Sequence, residues 1–524
     1  MKKQKNILFV MCDQLRQDYL SCYGHETLKT PNIDALANMG VTFDNAFIQS
    51  PLCGPSRASF YTGRYMFSHG SNWNNFPLRV DEKTIGDYLS NFNVRTALVG
   101  KTHMLVDPKE IQRLKIFSDA ELGIHLRECG FEPYTRDDGL HPDPIVDPDL
   151  EYNKYLSSKG YNDSHNPWNY AANAIEVEGK ISSGWLMRHC SKPARVADEH
   201  SETAYMTDKA IEFINDAGKN SWCLHLSYIK PHWPYIVSSP YHDMYSKEDI
   251  KPVVRSSAEL TDAHPVHKGF MDVSYSKVFS DDKVRDTVIP AYMGLIKQVD
   301  DHFGRLMRFL SENEYLENTL IVFTSDHGDY LGDHWLGEKD LYHNPSIKIP
   351  LIIYDPCREA DGTRGSRNAS LVESIDLLPT FIRFHSQESM PYRLEGTSLL
   401  DTLRTGKELS RKGAITELDY SCREEARRAL EIEPEQCRGF VYTTKCWKYV
   451  MLEGYDAVLF NLIDDPDELI NVVDDPNNRD IVQECREGIF EWLRKRRTRN
   501  QSEEEIKSLP RDFEKRAGIM IGVW

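Results

Sequence analysis

Four short apolar runs in this chain each end in polar residues suited to chemistry. Asn6-Ile7-Leu8-Phe9-Val10-Met11 leads into Asp13 and Gln14, and Val94-Arg95-Thr96-Ala97-Leu98-Val99 leads into Lys101 and His103. Trp222-Cys223-Leu224-His225-Leu226-Ser227 precedes His232, and Leu320-Ile321-Val322-Phe323-Thr324 precedes Asp326. Apolar runs this short read as buried strands. Helical patterns fit between them: Leu295, Val299, Phe303, Leu306 and Leu310 recur at helical spacing, as do Met206, Ala210, Ile211 and Ile214 after Glu202. Such alternation predicts an α/β fold with a large mixed, mostly parallel sheet flanked by helices. Open sheets of this kind bind ligands outside the carboxyl ends of their strands, where all four polar clusters fall.

At 524 residues the chain exceeds what one core usually supports, so more than one domain is expected. The expected division is a catalytic unit over 1–405, a smaller α+β unit with an antiparallel sheet over 406–480, and a charged helical extension over 481–524. Phe440-Val441-Tyr442-Thr443 and Trp447-Lys448-Tyr449-Val450-Met451-Leu452 read as neighbouring strands joined by a tight turn. Residues 105–200 are rich in Asp, Pro, Asn and His and poor in periodic apolar positions. A segment of that length and composition is expected to be an insertion shaping the site entrance.

The formal net charge of −18 argues against a nucleic-acid or anionic-membrane binder, though not against an anionic small molecule held by local cations. The 11 cysteines are irregularly spaced, with no C-x-x-C pair, so neither a zinc knuckle nor a disulfide framework is indicated. The apolar run Ile7 to Cys12 is too short for a signal core, and no segment is long enough to span a bilayer. A cytoplasmic location is expected.

Cys53-Gly54-Pro55-Ser56-Arg57, followed by Thr62-Gly63, carries the sharpest chemical signal. Pro is at home in the first turn of a helix and Gly is a natural stop, so a short helix is expected from Pro55 to Thr62. Cys53 would then lie at the positive end of that helix, with Arg57 one turn further in and able to point back to it. An inert buried cysteine would leave Arg57 unexplained.

The pattern C-x-P-S-R followed by T-G resembles the sulfatase signature, whose cysteine is oxidised to formylglycine. Met11-Cys12-Asp13-Gln14, Gly100-Lys101-Thr102-His103, Lys230-Pro231-His232, Thr324-Ser325-Asp326-His327-Gly328-Asp329, Gly337-Glu338-Lys339 and Ile349-Pro350-Leu351-Ile352-Ile353 follow in the same family's order. Over residues 5 to 475 the chain resembles the sulfatase and phosphonate monoester hydrolase branch of the alkaline phosphatase superfamily. The resemblance implies an alkaline-phosphatase-like fold and hydrolysis of sulfate esters. The cofactors it implies are formylglycine at position 53 and one divalent cation, Mn in preference to Ca or Mg.

The same resemblance implies a role for each matching residue. Asp13, Gln14, Asp326 and His327, together with residue 53, would hold the cation, since carboxylate and amide oxygens with one imidazole suit a hard divalent ion. Lys101 would neutralise the transferred group and His103 would take a proton. His232 and Lys339 would contact substrate oxygen and leaving group, and Arg57 would support Cys53. Asn74, between Asn72 and Asn75, stands where relatives have a substrate-binding amide. Asp329, Asp333 and His334 could form a second metal site but are expected to be structural. The partners implied are a small sulfate or phosphonate ester, a formylglycine-generating enzyme, and further copies of the chain in a homo-oligomer.

Two departures keep an alternative open. Many sulfatases carry Asp at the Gln14 position and often Asn at the His327 position, whereas Gln and His resemble the phosphonate monoester hydrolases. Lys101 and His103 follow the sulfatase pattern instead. Phosphonate monoester or phosphodiester hydrolysis at the same site is therefore the alternative reading. A two-zinc phosphatase would require Ser or Thr at position 53, and a non-catalytic anion binder would leave the full reactive set without a purpose.

Overall fold

The computed structural model describes residues 4–497 apart from 148, 163–164, 177 and 387–388, together with 501–508 and 516–518. Parts of the helical extension expected over 481–524, namely 498–500, 509–515 and 519–524, lie outside the described residues.

Strands β1 (Asn6–Asp13), β2 (Val41–Phe47), β3 (Arg95–Gly100) and β4 (Glu132–Arg136) come first. A short ribbon of β5 (Ala174–Ile175) and β6 (Ile181–Ser182) follows. Next are β7 (Trp222–Pro231), β8 (Thr319–Ser325), β9 (Lys348–Ile349), β10 (Leu351–Tyr354) and β11 (Ser366–Glu373). The main sheet has the order β11-β2-β10-β8-β1-β7-β3-β4, with β9 paired to β2. Strands β8, β1, β7, β3 and β4 run parallel. The direction is reversed in β10, which is antiparallel to both β8 and β2, and in β9, which is antiparallel to β2.

The central strand accounts for the layering. Ile7, Phe9 and Met11 enter one apolar core and Leu8, Val10 and Cys12 the other, so alternate side chains are buried on opposite faces. The helix Asp282–Glu312 buries Leu295, Val299, Phe303, Leu306 and Leu310 in the second core. The helix Glu202–Ala217 adds Met206, Ala210 and Ile214, and starts where the Ser201 side chain accepts from the Ala204 amide. Because β1, β3, β7 and β8 share one direction, Asp13, Lys101, His232 and Asp326 emerge along the same edge.

The 105–200 segment is more fully built into the fold than its weak periodicity predicts. It supplies β4 at the sheet edge and buries Leu150, Tyr152, Leu156, Trp168 and Cys190 in the second core. Tyr152 and Leu156 share one face of a short helix, Glu151–Ser158, and the rest are single buried residues, so little repeating pattern is left to read.

A second, antiparallel sheet has the order β12 (Ala414–Asp419), β13 (Arg438–Thr443), β14 (Trp447–Leu452), β15 (Val458–Asn461). Its expected hairpin pairs Thr443 with Lys448. The helix Arg479–Arg494 packs Cys485, Ile489 and Trp492 on Tyr442 and Tyr449. Strand β12 docks on the segment leading to Cys53: the Glu417 amide donates to Gln49 O at 2.9 Å and Thr416 Oγ1 donates to Ile48 O at 2.5 Å. Among the described residues no helix is long and apolar enough to cross a membrane.

Candidate active site

The reactive edge is organised by the helix Cys53–Thr62, all ten of whose residues are buried. It begins at Cys53, two residues before the expected start at Pro55, and ends at Gly63 with φ 63°. The left-handed turn at Gly63 is one that glycine adopts without a Cβ penalty. Cys53 thus sits in the first turn, where unpaired amides favour an anion.

Asp13, Cys53, Asp326 and His327 bring one ligand atom each to within 4.8 Å of one another, and all four residues are buried. Cys53 Sγ lies 3.0 Å from His327 Nε2 and 3.9 Å from Asp13 Oδ1. His327 Nε2 is 3.7 Å from Asp13 Oδ1 and 3.6 Å from Asp326 Oδ1. His327 Nδ1 is 2.9 Å from Gly328 O. A carbonyl only accepts, so Nδ1 carries a proton. Burial opposes charge on the ring but Asp326 and Cys53 raise its pKa, and loss of the Nε2 proton would turn a lone pair to the cluster.

Arg57 lies elsewhere than a helix-turn argument predicts. Its Nε donates to Asp326 Oδ2 at 2.9 Å and its Nη2 to Asp13 Oδ2 at 3.2 Å, while Nη1 reaches Lys101 O at 2.8 Å and Ser227 Oγ at 2.7 Å. The guanidinium therefore braces the outer carboxylate oxygens and leaves both Oδ1 atoms facing His327. A planar fork with five donors can hold four partners at fixed angles, which an ammonium cannot.

These donors fit a divalent cation. Two inward carboxylate oxygens and the imidazole Nε2 converge, a mainly oxygen donor set with one nitrogen that suits a hard divalent ion. Gln14, in a left-handed conformation with φ 65°, donates its backbone amide to Asp326 Oδ1 at 3.0 Å. Its Oε1 accepts from Lys339 Nζ at 3.0 Å.

The cationic groups surround the thiol. Lys101 Nζ lies 2.5 Å from Asp13 Oδ2. Burial alone would raise the Cys53 thiol, but Lys339, Lys101 and His327 and a hydrogen bond from His103 hold it well below the ordinary thiol range. His232, with Nδ1 2.7 Å from Trp233 O, is pushed down to about 4 by burial and is neutral. Asn74 Oδ1 accepts the Gly54 amide at 2.8 Å, so this side chain caps the first turn beside Cys53.

The other suspected metal residues are committed elsewhere. Asp329 accepts from Gln14 Nε2 at 2.5 Å and Tyr235 Oη at 2.8 Å, Asp333 accepts from Arg16 Nη1 at 2.7 Å, and His334 Nδ1 pairs with Glu259 at 2.8 Å. Among the described residues they form no second cluster of metal-ligating groups.

Asp138 had no signal in the sequence. Its Oδ1 accepts the amides of Thr102 and His103 at 3.0 Å each, which fixes the turn in which His103 has φ 55°. It lies in the 105–200 segment, and only the pairing of β3 with β4 brings it there. Ser227 was legible only as a strand residue.

Comparison with known proteins accords with this arrangement. The family model described as Sulfatase matches residues 5–384, and one described as N-sulphoglucosamine sulphohydrolase, C-terminal, matches residues 332–495. The chain is 29% identical over 517 residues to the multifunctional alkaline phosphatase superfamily protein PehA of Trinickia caryophylli, covering 93% of this chain and 95% of that one. It is 27% identical over 501 residues to an arylsulfatase of Clostridium perfringens, covering 93% and 94%. The solved phosphonate monoester hydrolase SpPMH from Silicibacter pomeroyi superimposes with a TM-score of 0.80 at 26% identity, covering 94% of this chain and 96% of that one. With a sulfatase model matched across most of its length, and cysteine, carboxylates and lysines gathered at one sheet edge, this chain belongs to the sulfatase family.

Proposed function

We propose that this hydrolase cleaves sulfate esters, with Cys53 matured to formylglycine and one divalent cation, Mn in preference to Ca or Mg. The observation that carries this reading is the convergence of Lys101, Lys339, His103 and His232 on Cys53 beside the Asp13, Asp326 and His327 donor set. Formylglycine would supply a hydrated aldehyde as nucleophile, and a cation held by Asp13, Gln14, Asp326 and His327 would supply Lewis-acid charge beside it.

Lys101 and Lys339 bring positive charge to the transferred group in a buried setting, where charge stabilisation counts most. Burial raises the cost of charging Lys101, but the Asp13 carboxylate beside it raises its pKa and keeps it cationic. His103, whose ring hydrogen-bonds the Cys53 side chain, is the group that takes a proton from residue 53. His232 contacts substrate oxygen, and Asn74 holds the Gly54 amide that opens the nucleophile's helix. The formylglycine-generating enzyme is the maturation partner, and a homo-oligomer is the proposed assembly.

A second reading has its own support. Gln14 and His327, with the likeness to SpPMH, favour phosphonate monoester or phosphodiester hydrolysis at the same site. The two are separated by rates on an aryl sulfate and an aryl phosphonate monoester, after the mass of the Cys53 peptide has been checked for conversion and Mn supplied. A clear sulfate preference supports the first reading, and a clear phosphonate preference replaces it with the second. Cys53→Ser should abolish turnover under either.

A further inference from the structure

Lys339 is held between two residues in a conformation that L-residues avoid: Glu338 has φ 58° and Asp340 has φ 104°. Such backbone persists where surrounding contacts over-determine it, and it gathers at functional sites. The contacts on Asp340 are explicit. Its carboxylate is 2% exposed; Oδ1 accepts from Arg423 Nε at 2.9 Å and pairs with Arg423 Nη2 at 2.8 Å, while Oδ2 accepts from Tyr275 Oη at 2.9 Å.

Arg423 comes from the antiparallel-sheet region, in the loop between β12 and the helix Glu424–Leu430. Its guanidinium carbon also lies 5.0 Å from the Trp73 ring centroid. The Trp73 carbonyl and Asn74 pack on Gly54, where an added Cβ would meet them at 3.0 Å. One side chain thus braces two walls of the reactive centre without touching a reacting atom.

We propose that Arg423 is a positioning residue for Lys339, acting through Asp340. This rests on the role given to Lys339 above. The guanidinium fork and the Tyr275 hydroxyl hold Asp340 in its left-handed state, which aims Lys339 at Gln14 and residue 53. A lysine at position 423 keeps the charge but offers no fork, so the Asp340 turn relaxes and Lys339 loses its aim.

The test is a double-mutant cycle on the full, metal-loaded enzyme, with peptide mass to read how fast a small amine-reactive reagent labels Lys339. Arg423→Lys is expected to lower kcat about 10- to 100-fold with little change in KM, as small misplacements of catalytic groups do. In a Lys339→Met background the same substitution should change kcat less than about twofold. Labelling of Lys339 should rise severalfold in Arg423→Lys, whichever ester the enzyme prefers. Thermal unfolding of each variant controls for loss of fold. Additive losses across the cycle, or unchanged labelling of Lys339, overturn the proposal. Unchanged kcat in Lys339→Met alone would overturn the role of Lys339, and this inference with it.

Discussion

Gln14 Nε2 donates to Asp329 Oδ2 across 2.5 Å, and this contact decides which way the Gln14 amide faces. With its nitrogen tied to a carboxylate, Oε1 turns toward Lys339 Nζ, 3.0 Å away. Asp329 therefore orients a candidate ligand without joining the donor cluster. Residues in that position matter to affinity because they hold the ligand's useful atom in place.

Asp329→Ala should release the Gln14 amide to rotate and weaken Mn binding about 10-fold or more. Calorimetric titration of Mn into chelator-treated protein measures this directly. Unchanged affinity would mean that Gln14 is oriented by other contacts or does not bind the ion.

Arg57 is fully buried between Asp13 and Asp326. Arg57→Ala would leave two buried carboxylates facing each other with Lys101 as the remaining close cation. Breaking a buried pair from one side costs about 3–5 kcal/mol. Denaturant unfolding of metal-free Arg57→Ala should therefore report a loss of that order, and added Mn should recover part of it.

Gly100 joins β3 to Lys101 with φ 109°, and a Cβ there would sit 2.0 Å from Ser227 O. The obstacle is backbone of the neighbouring strand, which cannot move without breaking the sheet. Gly100→Ala should destabilise the fold by at least about 2 kcal/mol. A melting temperature equal to that of the parent would contradict the register of β3 on β7.

Glu417 on β12 is buried, with Oε1 unpartnered and Oε2 accepting the Phe67 amide at 2.8 Å. Burial pushes its carboxyl from 4.5 up to about 8. Between those values the unfolded chain has lost this proton and the folded chain keeps it, so this group's contribution to stability falls as pH rises. The slope is about 1.4 kcal/mol per pH unit for one such group. Glu417→Gln mimics the protonated form, so its stability relative to the parent should grow across this window in urea unfolding. A constant difference would show that Glu417 ionises normally.

Much of the reactive edge was legible because its parts sit at the ends of locally recognisable elements. Asp13, Lys101, His232 and Asp326 each follow an apolar run, and parallel strands carry their ends to one side. Cys53 was marked by the proline and glycine that bound its helix. The partners of these residues were not legible. Asn74 on the Gly54 amide, Asp138 on the Thr102 and His103 amides, and Asp329 on Gln14 are made across loops whose path no periodicity records.

The amino-acid order by itself marked β1, β3, β7, β8 and the β13–β14 hairpin, because apolar spacing and turn residues act over a few positions, while the resemblance of its motifs implied the groups around Cys53. Tertiary structure alone decided where those groups point. Arg57 turns to the carboxylates because Asp13 and Asp326, far apart in the chain, bury two negative charges that a guanidinium can span. Arg423 meets Asp340 across 83 residues for the same reason: a buried charge takes whichever partner the closed fold brings within reach.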